Sequence, residues 1–191
     1  MLSEHERWIL SFYRTSEITG SLFFGRLARS IKSGQIQVDL TKHFADEAMH
    51  AHYWTQCLDR LESQPIKLRN AYQDQYLEAA GMPVNLMEVL AITQVFEQRV
   101  ISQYSIHKQV RNLKPEIHET LELIMEDEKW HIHWVKEALA QMEIKYGKDL
   151  VESTIRRFRQ ADHEVYAQTM NELEARFGDL LQIHGGQRHD H

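Results

Sequence analysis

The chain has 191 residues and a net charge of −6, with 42% hydrophobic and 26% charged residues, an ordinary composition for one packed domain. Its acidic balance excludes a basic surface for nucleic acid or anionic lipid, and no run approaches the ~18 apolar residues of a membrane span. The lone cysteine, Cys57, excludes an internal disulfide and fits a reducing, cytoplasmic setting.

Gly and Pro are scarce, at 8 and 3, and histidine is abundant, at 12. Few breakers favour long helices, and apolar residues recur at helical spacing almost throughout. MLSEHERWIL lacks a basic n-region and an apolar h-region, so no secretory leader is expected. The first predicted helix covers about 4–31, with Ile9, Phe12, Tyr13, Phe23, Phe24, Leu27 and Ile31 on its buried side. The link SGQIQVD contains Gly34 and ends at Asp39, an expected N-cap for a second helix over about 40–62. Residues 63–84 follow, with a short helix expected around NAYQDQYLEAA. A third long helix spans about 85–111. A fourth starts at Pro115, runs to about 145 and stops at Gly147. A fifth, about 149–177, carries Val151, Ile155, Phe158, Val165, Met170, Leu173 and Phe177 as one stripe. The tail, 181–191, is expected to be disordered, and no strand pattern is visible. The expected fold class is all-α: one domain over 1–180, with a four-helix core over about 4–145, one long crossover and an additional C-terminal helix.

Two stretches carry the chemistry. DEAMHAHYW begins at Asp46 and DEKWHIHWV at Asp127. Glu47 and His50 are three residues apart, as are Glu128 and His131, so each pair shares one helix face. Glu17 and Glu97 interrupt the apolar stripes of the first and third long helices. Counted from the two short links, they fall at the heights of the Glu/His pairs. Glu17 to Glu97 is 80 residues and Glu47 to Glu128 is 81, a pseudo-repeat. Four carboxylates and two imidazoles would then meet at mid-height. Left bare, such buried charges cost several kcal/mol each, and two divalent cations would cancel the four negative charges. The rival reading is a set of hydrogen-bonded pairs, or a bundle that has lost its metal.

The order Glu17, Glu47-Ala-Met-His50, Glu97, Glu128-Lys-Trp-His131 resembles the ferritin-like di-iron carboxylate superfamily, which includes bacterioferritin, rubrerythrin and aldehyde-deformylating oxygenase. The resemblance covers roughly residues 4–145 and implies a ferritin-like four-helix bundle. It implies that Glu47 and Glu128 bridge two metal ions, that Glu17 with His50 holds one, and that Glu97 with His131 holds the other. Oxygen and imidazole donors without thiolate suit iron or manganese. In similar proteins an Asp before the ligand Glu often reaches the His of the opposite helix. That implies Asp46 beside His131 and Asp127 beside His50, against two solvated surface residues.

Other candidates surround these. His43 lies one turn before Glu47 on the same face, as an outer group, an extra ligand or a packing residue at the helix end. Tyr13 and Tyr104 lie on the ligand faces, as donors to the site or as core. His52 and His133 are rotated away from it. Gly20 and Ser21 are small opposite Val100 and Ile101, which could open a pocket beside Glu17.

The resemblance implies an oxidoreductase that activates dioxygen or peroxide, with no catalytic group beyond the metal ligands. An external electron donor is expected, because the chain has no Cys-x-x-Cys module. The alternatives are ferritin-type iron oxidation and storage, catalase-like peroxide disproportionation on manganese, or an interaction protein with a vestigial site. A homodimer is the expected assembly, and the fifth helix is expected either to pack on the outside of the bundle or to pair with a second subunit.

Overall fold

The structure, a computed structural model, describes residues 2–29, 34–68, 72–169 and 171–185. Among these, all regular structure is helical: α1 (Glu4–Ala28), α2 (Gln35–Arg60), α3 (Tyr72–Ala80), α4 (Leu86–His107), α5 (Pro115–Tyr146), α6 (Lys148–Thr169) and α7 (Asn171–Gly185). No helix is long and apolar enough to cross a membrane.

Local chemistry sets most boundaries. Ser3 and Glu6 cap α1 reciprocally: the Ser3 hydroxyl accepts from the Glu6 N–H, and the Glu6 carboxylate accepts from the Ser3 N–H. The Asn85 side chain caps α4 by accepting from the Glu88 N–H. Pro115 opens α5, and Gly147, at φ 88°, closes it.

One expectation is corrected. The second helix starts at Gln35, not after Asp39. Gly34, at φ 100°, makes the turn, and Asp39 accepts from the Gln35 side chain within the first turns. The fifth predicted helix is described in two stretches, α6 and α7, on either side of residue 170. α6 packs on α3, α4 and α5, and α7 packs on α1. Ile31 and Met170 lie outside the described residues, as does the tail beyond Gly185.

The four long helices α1, α2, α4 and α5 run antiparallel to their neighbours. Arg14 bonds to Thr55, Gly20 faces Glu47 and Gly25 faces Phe44, so numbers rise along α1 as they fall along α2. On α2 and α5, His50 meets Asp127 and Arg60 meets Glu119 in the same sense. α1 with α2 and α4 with α5 pack closely, and α2 also packs on α5. α1 and α4 approach far less closely, and α3 and α7 lie against α1 on the outside. The Tyr76 hydroxyl ties α3 to α6 by donating to the Phe158 carbonyl at 2.7 Å.

His107 ends α4 fully buried, with no hydrogen-bond partner at either ring nitrogen. The rings of Tyr13 and Phe177 pack on it at 5.7 and 5.3 Å. Burial holds its pKa down at about 3, below the unfolded value near 6.5. The unfolded chain therefore binds this proton first, and stability is lost as pH falls through 6.5 towards 3. Urea unfolding at pH 7 and pH 5 should show His107→Leu gaining about 2 kcal/mol on the parent between the two. An unchanged gap would mean that His107 is not held neutral.

Candidate metal centre

Each long helix turns acidic or imidazole groups towards one point. α1 supplies Glu17, α2 supplies His43, Glu47 and His50, α4 supplies Glu97, and α5 supplies Glu128 and His131. All seven are 5% exposed or less. The i, i+4, i+7 spacing of His43, Glu47 and His50 puts them on one face of α2. Their donor atoms form two groups, each within 4.8 Å: Glu17, Glu47, His50 and Glu128 in one, and His43, Glu47, Glu97 and His131 in the other. Glu47 belongs to both. Glu128 also spans them, with Oε1 3.3 Å from His50 Nδ1 and Oε2 3.2 Å from His131 Nδ1.

The six residues named from the sequence thus come together, and His43 joins them rather than packing at a helix end. The outer carboxylates lie crosswise: Asp127 Oδ2 is 3.2 Å from His50 Nε2, and Asp46 Oδ2 is 3.2 Å from His131 Nε2. An ionised carboxylate only accepts, so each Nε2 carries a proton and each Nδ1 faces the inner carboxylates. Lys42 donates to Asp46 and also lies 3.8 Å from the centre of the Trp130 ring. His52 and His133 are exposed.

Crowding of like charge governs the electrostatics. Burial, then the Glu17, Glu97 and Glu128 carboxylates, push Glu47 well above the usual carboxylate range. Burial opposes charge on His131, but Asp46, Glu128 and Glu97 outweigh it and raise its pKa to about 12. Asp127, Glu128 and Glu17 raise His50 in the same way against burial. His43 goes the other way, held neutral by burial and by His131, whose ring stacks on it at 3.7 Å. Two imidazoles, even protonated, do not balance four carboxylates. His50 Nδ1 and Glu128 Oε1 are buried without a hydrogen-bond partner although they face each other at 3.3 Å. Two converging donor atoms left without a hydrogen-bond partner fit a shared cation, and this oxygen-rich set suits two hard or borderline divalent ions.

Tyr104 completes the Glu17 side. Its hydroxyl donates to Glu17 and accepts from Trp54 Nε1 at 3.1 Å. Tyr13 stands edge-on to Tyr104 at 4.7 Å, and its own hydroxyl has no partner. A cavity of about 20 Å³, room for one water-sized molecule, lies between α1 and α4 beside Glu17 and Tyr104. Phe12, Phe96 and Val100 line it, with Ser16 and Gln103.

The pocket expected from Gly20 and Ser21 is corrected accordingly. A Cβ at Gly20 would lie 2.6 Å from Glu47 Oε2, so the Glu47 carboxylate already occupies that space. The sequence signals for Tyr104 and His43 existed, since both sit on ligand faces. Their partners, Trp54 and Trp134, come from other helices and left no local mark.

No family model, curated protein or solved structure matches the chain.

Gly20→Ala should force the Glu47 carboxylate aside. Titration calorimetry with a divalent ion should then show affinity reduced by about tenfold or more, the scale seen when a ligand's support is lost. Parent-like affinity would show that Glu47 does not depend on this gap.

Proposed function

We propose that this chain is a ferritin-like dinuclear metal protein, an oxidoreductase that uses iron or manganese to reduce dioxygen or peroxide. One observation carries the reading: carboxylate oxygens and imidazole Nδ1 atoms from four helices converge, with His50 Nδ1 and Glu128 Oε1 buried and unbonded. Glu47 and Glu128 would bridge. Glu17 with His50, and Glu97 with His131, would hold the outer sides. When bound, the metal pair would supply Lewis acidity and electrons for oxidant reduction.

The chain's own residues do the rest. Asp127 and Asp46 accept from Nε2 and fix the ring orientation of His50 and His131. Tyr104 keeps a hydroxyl proton on Glu17 where the cavity meets the site. Phe12, Phe96 and Val100 narrow that approach, with Ser16, Arg99 and Gln103 beside them, and the small space favours a small oxidant. Electrons would come from an external donor.

Metal analysis tests the centre directly. Two ions per chain are expected, and chelation should lower stability by about 2.7 kcal/mol for each ion held at a hundred times its Kd. Asp46→Ala with Asp127→Ala should weaken both ions, and unchanged metal content would remove their role. Mixing the reduced, iron-loaded protein with dioxygen should give catalytic oxygen consumption when a chemical reductant is present. Deposition of ferric mineral without turnover would favour storage instead.

Val100→Phe should fill the cavity and slow oxygen consumption several-fold while leaving two metals bound. A parent-like rate would place the oxidant's route elsewhere.

A further inference from the structure

By residue type, the two halves of the centre look unequal. The Glu17 side has one imidazole, His50, whereas the Glu97 side has two, His131 and His43. His43 Nε2 lies 3.1 Å from Glu47 Oε1 and 3.1 Å from Glu97 Oε1, where a third imidazole ligand would sit. The far side of each ring decides otherwise.

His50 and His131 present Nε2 to Asp127 and Asp46, which only accept. With a metal bound, the one proton of each ring would stay on Nε2 and the Nδ1 lone pair would face the centre. His43 presents its far nitrogen, Nδ1, to Trp134 Nε1 at 3.2 Å. An indole N–H only donates, so Nδ1 must accept. A neutral imidazole has one N–H, and here it has to be on Nε2, pointing at Glu47 and Glu97. A nitrogen that carries a proton has no lone pair for a metal. The ring cannot readily turn over, because it lies between Phe24 at 4.2 Å and His131 at 3.7 Å.

We propose that Trp134 holds His43 in the tautomer that cannot ligate, so that His43 serves as a hydrogen-bond donor to Glu97 and Glu47 and not as a third imidazole ligand. Trp134 is thus a positioning residue, acting through His43 on the carboxylates. The Glu17 side repeats the device with other chemistry. Trp54 Nε1 donates to the Tyr104 oxygen, which turns the tyrosine proton onto Glu17. Both outer carboxylates receive a proton-bearing donor aimed by an indole, and each metal keeps one imidazole. The inference rests on the dinuclear reading above and adds the number of imidazole ligands and the His43 tautomer to it.

Zinc-loaded protein labelled with nitrogen-15 tests it through long-range proton–nitrogen correlations of the histidine rings. This readout needs no turnover, and a merely packing role for Trp134 would not move it. In the parent, two imidazoles should be zinc-bound through Nδ1. The His43 ring should show a protonated Nε2 and a bare, accepting Nδ1. Trp134→Phe keeps an aromatic ring but removes the N–H, which frees Nδ1 to take the proton and Nε2 to bind. The number of zinc-bound imidazoles should then rise from two to three, and adding His43→Gln should return it to two. Three zinc-bound imidazoles in the parent would overturn the inference and leave the dinuclear site standing. A count of two in Trp134→Phe would also overturn it. A parent that binds no zinc, iron or manganese would overturn the dinuclear reading and this inference together. The parent measurement decides the tautomer even if the variants fail to fold.

Discussion

Four carboxylates buried within a few ångströms of one another are the constraint that the remainder of the molecule answers. At an effective dielectric of about 20, two like charges 4 Å apart repel by about 4 kcal/mol, and Glu47 faces three such neighbours. Protons on His50 and His131 relieve part of this, and the crosswise Asp residues help to retain them. The apolar core around the cluster, from Ile9 and Leu10 on α1 to Ile124 and Val135 on α5, holds the helices at this spacing despite the repulsion. A cation pair would turn the main source of strain into the main tie between helices, in keeping with metal sites whose binding energy doubles as folding energy.

The order of helices and the convergence of six inner carboxylate and imidazole residues were legible in the sequence because they follow local rules. Glu-x-x-His at i, i+3 on a helix is a one-face pattern, and short links place matched heights side by side. The Asp residues were legible too, since each directly precedes a ligand. What escaped was set by contacts between distant segments. His43 differs from a packing histidine only because Trp134 stands over its far nitrogen. Tyr104 differs from a core tyrosine only because Glu17 and Trp54 flank its hydroxyl. Gly20 read as an opening, but its missing side chain is space already taken by Glu47.

The two halves of the pseudo-repeat are alike in ligands and unlike in what surrounds them. A tyrosine hydroxyl meets Glu17, whereas an imidazole N–H meets Glu97. A small cavity lies on the tyrosine side. On the other side, Phe24, His43, His131 and Trp134 fill the space with stacked and edge-on rings. A symmetric set of carboxylates and imidazoles thus sits within an asymmetric wall.

That wall has a weak seam. α1 and α4 approach less closely than α1 and α2, and the cavity lies along their junction. At rest the gap admits something the size of a water molecule. Anything bulkier arriving by this route must spread the two helices. Size discrimination at Glu17 is therefore an elastic property, governed by how far the seam yields under thermal motion and not by the dimensions of the closed hole.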